Sequence, residues 1–253
     1  MLPKYDLHIH TNYSDGSQTF EEILIKIEEV DLKCFGISDH FEKGHNHSVS
    51  TSANEYYNHF LKIKNIAKEK GIIMLLGAEV GFNDKEILIP ENIPNVDYII
   101  GSIHQMPQNL EEEDYWDLYK KYVEKAVSEY SFQILGHVEG YLPVNKFMKP
   151  DSTFEDRRSF EKLVAIKYLN LEWYKEIAKE MAKNKIALEI HEMSESPRKE
   201  VIKIMIENGV KLSYGTDSHA LHQLSKRNYF SEVTEQLGLK EKEFLKIEDL
   251  FNC

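Results

Sequence analysis

His8 and His10 stand two residues apart in the run Tyr5-Asp6-Leu7-His8-Ile9-His10, and Ser14-Asp15-Gly16 follows closely. In a β-strand, residues i and i+2 share a face, so both imidazoles would point one way while Leu7 and Ile9 point the other, with about 7 Å between the histidine Cα atoms. Two rings so placed can reach one metal ion. Similar residues recur at the ends of later apolar runs, in Ser38-Asp39-His40, Gly77-Ala78-Glu79, Gly101-Ser102-Ile103-His104, Gly136-His137 and Gly215-Thr216-Asp217-Ser218-His219. The glycines in these stretches are expected to let the backbone turn sharply. Taken singly, His40, His104 or His137 also fits a core histidine bonded to backbone carbonyls. Glu79 alone fits a surface carboxylate, and Asp217 a helix N-cap. Those plain readings would have to hold independently at every one of these strand ends.

The apolar runs are strand-like and alternate with helical-period segments. Strands are predicted over 5–9, 34–38, 72–76, 98–102, 132–135, 186–190 and 211–214, and helices over 20–32, 54–70, 114–130, 160–183, 197–208 and 221–237. Ser52, with Glu55 three residues on, reads as a capping-box start, and Gly71 and Gly209 read as helix stops. The acidic run Glu111–Asp114 suits a solvated helix start, where the macrodipole favours negative charge. Strands alternating with crossover helices imply parallel strands and an α/β architecture. In a parallel barrel the carboxyl ends of all strands open onto one face. His8, His10, Asp15, His40, Glu79, His104, His137, Asp217 and His219 would then converge. Imidazole and carboxylate without thiolate suit Zn²⁺, Mn²⁺ or Fe²⁺. Nine ligands exceed the needs of one ion, so two or three divalent transition metals sharing carboxylates are expected.

Composition narrows the partners. The chain has 253 residues, 42% of them hydrophobic, and a formal charge of −12, so a full core is expected and a nucleic-acid scaffold with a basic face is not. No apolar run approaches the roughly 18–20 residues of a membrane span. Pro3, Lys4 and Asp6 interrupt the start where a secretory signal needs apolar residues, so a cytoplasmic location is expected. Two cysteines, Cys34 and Cys253, make neither a disulfide framework nor a thiolate zinc site. No Gly/Ser/Pro-rich linker is visible, and a single domain over 1–253 is the simplest organisation. Loops 41–53 and 141–158 are longer than their connections need and are candidate lids or substrate contacts.

The set His8-x-His10, Ser14-Asp15-Gly16, Asp39-His40, Glu79, His104, Gly136-His137 and Asp217-x-His219 resembles the PHP family of metal-dependent phosphoesterases across nearly the whole chain, most closely its stand-alone histidinol-phosphate phosphatase branch. The resemblance implies a distorted (β/α)7 TIM-like barrel with a trinuclear centre. By position, His8, His10, Glu79 and Asp217 would hold one metal, Glu79, His104 and His137 a second with Glu79 bridging, and Asp15, His40 and His219 a third. Two departures from the pattern are Asp15, where some relatives use histidine, and Leu188-Glu189-Ile190-His191, where relatives commonly show Leu-Glu-Ile-Asn.

The activity implied is hydrolysis of a small phosphomonoester by a metal-bound hydroxide, with histidinol phosphate of histidine biosynthesis as the expected substrate. The alternatives are nucleotides or short oligonucleotides, or an amidohydrolase-like reaction. The last normally needs a carboxylated lysine on a middle strand, and no lysine stands at a strand end. Asp217 and Glu79 are expected to act in catalysis, and His219 is a candidate proton donor to the leaving group. Among the four arginines, Arg158, Arg198 and Arg227, together with His191 at the end of the sixth strand, are candidate substrate contacts. Glu192 and Glu195 are candidates to receive the ammonium and imidazole of histidinol phosphate.

Overall fold

The computed structural model describes residues 2–224 and 226–252; Cys253 lies outside the described residues. Seven parallel strands form one sheet in sequential order: β1 (Tyr5–Asp6), β2 (Cys34–Ile37), β3 (Ile73–Gly81), β4 (Tyr98–Ser102), β5 (Ile134–Leu135), β6 (Ala187–His191) and β7 (Leu212–Gly215). The last strand also reaches the first. Leu7 donates its backbone N–H to the carbonyl of Tyr214, and His10 donates to Ser218. The sheet is thus a nearly closed, distorted (β/α)7 barrel.

The helices are α1 (Phe20–Glu29), α2 (Ala53–Glu69), α3 (Glu112–Glu129), α4 (Phe154–Tyr168), α5 (Leu171–Asn184), α6 (Lys199–Glu207) and α7 (Asn228–Leu237). Their apolar faces cover the outer faces of the strands and form two buried clusters. One contains Phe20, Ile23, Ile27, Phe60 and Ile63 of α1 and α2; the other contains Trp116, Val123, Ile177, Met181 and Val233 of α3, α5 and α7. No helix among the described residues is long and apolar enough to cross a membrane.

Several boundaries follow local chemistry. Ser52 caps α2 by accepting from the Glu55 N–H, while the Glu55 carboxylate accepts from the Thr51 hydroxyl. Gly71 and Gly209 stop their helices at φ +72° and +85°, a region that favours glycine. The helix predicted over 160–183 is two helices, because the Asn170 side chain accepts from the Trp173 N–H and starts α5 afresh. The loop predicted over 141–158 ends at Phe154, where Thr153 and Asp156 cap α4 reciprocally. The helix predicted from 221 begins only at Asn228.

The strand-end glycines do not act as turn residues. Gly77, Gly101, Gly136 and Gly215 all lack a positive φ; each instead leaves room for a side chain. A Cβ at Gly77 would strike the Tyr98 ring, and one at Gly215 would strike both Glu189 Oε1 and the His8 Cβ. Tyr98 closes the barrel beneath the site and donates its hydroxyl to the Leu7 carbonyl at 2.5 Å.

Candidate metal centre

The carboxyl ends of the strands bring all nine predicted ligands into one cluster. His8 and His10 are fully buried, with ring centroids 5.1 Å apart. His40, Glu79, His137 and Asp217 are buried too, and His104, Asp15 and His219 line the rim. His137 and Asp217 stand at φ +22° and +55°, a backbone choice that costs about 1–3 kcal/mol for residues with a Cβ and that gathers at functional sites.

Glu79 is the hub. Its Oε2 faces His8 Nε2 at 3.4 Å, His10 Nε2 at 3.5 Å and His40 Nδ1 at 3.2 Å. Its Oε1 faces His104 Nε2 at 3.1 Å and His137 Nε2 at 2.8 Å. Asp217 Oδ1 lies 3.0 Å from His10 Nε2 and 3.4 Å from His8 Nε2. Asp15 reaches His219 Nε2 at 3.2 Å, His10 Nδ1 at 3.4 Å and His40 Nε2 at 3.5 Å.

The donor set fits a metal. His8 Nε2, His10 Nε2 and His40 Nδ1 are buried with no hydrogen-bond partner, although buried polar atoms are ordinarily satisfied. Three or more donor atoms lie within ligating reach in His10/Asp15/His40/His219, in His8/His10/Glu79 and in His40/Glu79/His104.

The electrostatics agree. Burial raises the Glu79 pKa, but the imidazoles of His104, His8 and His40 outweigh it and hold the carboxyl well below its usual range. Burial is likewise overcome at Asp217, chiefly by His8 and His10, and at Asp15 by His219 and His40. In the other direction, burial lowers the His104 pKa, yet Glu79 and Glu42 push it up to about 10; for His219, Asp15 and Asp217 push it up to about 9. His10 is lowered, mainly by burial. Without metal, the carboxylates draw protons onto His104 and His219, so metal ions and protons compete for the same nitrogens.

Residues 6–193 match the PHP domain. The chain belongs to the PHP-domain family. Among curated proteins it is similar to a Thermotoga maritima protein named "Probable histidinol-phosphatase", 25% identical over 139 residues, which are 53% of this chain and 54% of that one. The chain thus spans about half the length of the curated relative it matches. Its fold is similar to that of a histidinol phosphate phosphatase from Lactococcus lactis crystallised with zinc, L-histidinol and phosphate (TM-score 0.69, 17% identity, 97% of this chain and 100% of that one). It is also similar to metal-dependent tyrosine phosphatases from Bacillus subtilis and Streptococcus pneumoniae (TM-score 0.51, 12% identity, 98% and 94% covered).

Outside the PHP ligand pattern, the predicted substrate contacts fare differently. His191 is fully buried, donating or accepting at Nε2 with Asp217 Oδ2 at 3.1 Å and at Nδ1 with the Ser194 hydroxyl at 2.6 Å. It joins the cluster from behind Asp217 and offers no open face to a substrate. Arg227 is also a correction. Its guanidinium donates to the carbonyls of Pro3 and Tyr5 and stacks 4.5 Å from the Tyr214 and Phe230 rings, at the end of β1 opposite the cluster. Arg198 is committed to buried Glu139, through its backbone N–H and guanidinium, and to the Leu169 carbonyl. Glu192 accepts from the N–H groups of Tyr229 and Phe230 and so anchors the start of α7. Glu195 pairs with Arg158 and Lys162.

Arg158 is the remaining candidate; like that of Arg227, its Nε has no hydrogen-bond partner. It lines a cavity of about 790 Å³ together with Ser194, Ser196, Arg198 and Tyr229, of which Ser194 bonds His191.

Sequence reasoning missed Glu42, His45 and Glu189. Glu42 bonds His104 Nδ1, and the His45 ring lies 4.6 Å from His40 and 5.2 Å from His104. Glu189-x-His191 has the spacing of His8-x-His10, and that repeated signal could have revealed it.

Proposed function

We propose that this chain hydrolyses a small phosphomonoester at a centre of two or three divalent transition metals (Zn²⁺, Mn²⁺ or Fe²⁺), with histidinol phosphate as the favoured substrate. The observation that carries the reading is the two-sided environment of Glu79. One carboxylate oxygen meets His8, His10 and His40, and the other meets His104 and His137. That is the arrangement a carboxylate shared by two ions requires. His8, His10, Glu79 and Asp217 would hold one ion, Glu79, His104 and His137 a second, and Asp15, His40 and His219 a third. When bound, such ions neutralise phosphoryl oxygens and lower the pKa of water towards 7.

The remaining work falls to the chain. Asp217, with Oδ2 tied to His191, is fixed in direction and would orient the attacking hydroxide. His219, with a third of its side chain exposed, is the most open of the nine ligand histidines and carboxylates. With its Nδ1 bonded to the Asp217 carbonyl and its Nε2 serving the third ion, it would leave the departing alkoxide to take its proton from water. Arg158, which lines the cavity while paired with Glu195, would meet the substrate with its guanidinium. The acidic composition supports a small substrate over a polymer.

The test is a comparison of kcat/KM for histidinol phosphate, nucleoside monophosphates and an aryl phosphate on metal-loaded protein. A preference for histidinol phosphate of tenfold or more, about 1.4 kcal/mol of transition-state discrimination, supports the assignment. Equal or better turnover of nucleotides moves the chain to a nucleotide phosphatase. No hydrolysis of any of the three overturns the reading.

A further inference from the structure

Glu189 belongs to none of the ligand motifs, yet it lies at the centre of the barrel. It is buried on β6, and its two oxygens do different work. Oε1 is 2.7 Å from His8 Nδ1, and Oε2 accepts the His137 backbone N–H at 2.9 Å. The barrel is shaped around this carboxylate. A Cβ at Gly215 would collide with Oε1. His137 is the residue held at φ +22°, so the Glu189 bond pins a strained backbone as well as a ring.

We propose that Glu189 is a positioning residue that couples two ion sites. It holds His8 as the Nδ1–H tautomer, which leaves the Nε2 lone pair aimed into the cluster, and it fixes the His137 backbone so that this ring meets Glu79. This rests on the metal reading given above. The physical basis is general: a histidine ligand that donates its outer N–H to a carboxylate has its tautomer and ring orientation set and its basicity raised. The unpartnered, fully buried His8 Nε2 is what this predicts on the inner side. Glu42 stands in the same relation to His104 Nδ1, but it touches one ligand where Glu189 touches two.

Glu189→Gln tests the role at constant volume. A carboxamide can accept from His8 Nδ1–H or from the His137 N–H, but its NH₂ must then oppose the other donor. Metal affinity of metal-free protein, measured by chelator competition with Zn²⁺ and Mn²⁺, should fall roughly 10–100-fold. In metal-saturated protein, kcat should drop with KM for the substrate little changed. A purely structural Glu189 would instead lower the thermal midpoint of the metal-free form and leave metal affinity alone. Wild-type protein that binds tightly while Glu189→Gln binds within twofold overturns this inference and leaves the metal reading standing; wild type that binds no transition metal overturns both. If Glu189→Gln does not fold, zinc-loaded wild type decides. Long-range ¹H–¹⁵N correlation of His8 should show the proton on Nδ1, and a proton on Nε2 overturns the proposal.

Discussion

Glu79 lies on β3 and His137 just after β5, yet Oε1 of the first lies 2.8 Å from Nε2 of the second. Since the other oxygen of Glu79 faces His8, His10 and His40, this one side chain joins both halves of the cluster. Glu79→Gln keeps the volume and removes the charge. We expect it to lose at least one bound ion and to lower kcat/KM by more than the roughly 10–100-fold typical of an outer carboxylate. Elemental analysis and initial rates on the same preparation check this, and near-normal values for both would remove the bridging role.

The metal-free and metal-loaded forms should respond oppositely to pH. His104 and His219 have folded-state pKa values raised to about 10 and about 9, above an unfolded value near 6.5. Their contribution is fully present below pH 6.5 and disappears as pH rises through 9–10. Glu79 and Asp217 are depressed, so theirs is present above about pH 4 and disappears in acid. Metal-free protein should therefore be most stable between about pH 5 and 6.5, its thermal midpoint falling toward pH 10. Metal-loaded protein should instead gain as pH rises from 5 to 7, because ions displace protons from the rings. Calorimetric scans of both forms settle it; parallel profiles would count against shared sites.

The arginines should separate by role. Arg227→Ala removes bonds to the Pro3 and Tyr5 carbonyls and should cost about 1.5–3 kcal/mol of stability without raising KM. Arg198→Ala leaves buried Glu139 without its partner and should cost on the order of 3 kcal/mol. Arg158→Ala should leave the thermal midpoint within a few degrees and raise KM severalfold. Denaturant melts and steady-state kinetics on the three variants distinguish them, and an unchanged KM in Arg158→Ala removes it from the site.

Gly215→Ala should act on the centre without replacing a ligand. Its Cβ would press on Glu189 and His8, so we expect a loss of about 1–3 kcal/mol together with weaker metal binding. Unchanged metal affinity in a folded Gly215→Ala would show that the room at Gly215 does not matter to the cluster.

What the sequence revealed follows from which interactions are local. A His-x-His pair on a strand, and a histidine or carboxylate just after an apolar run, are one-dimensional signals of where a side chain will point. They placed His8, His10, His40, Glu79, His104, His137 and Asp217 together correctly, as they did the parallel order of strands. The sequence could not show what occupies Arg198 and Arg227, because their partners are remote in the chain: Glu139 for Arg198, and the Pro3 and Tyr5 carbonyls for Arg227. The strand-end glycines were noticed, but their reason is three-dimensional. Glu189 stood in view within Leu188-Glu189-Ile190-His191, but its role is visible only when the His8 ring is seen against it.

The central claim is that these residues hold a multinuclear metal centre. Elemental analysis of purified, desalted protein measures it directly. Two or more zinc, manganese or iron ions per chain, lost together with phosphatase activity on chelation and restored by adding the ion back, is the result this account predicts. Less than one ion per chain, after reconstitution with each metal in turn, would contradict it.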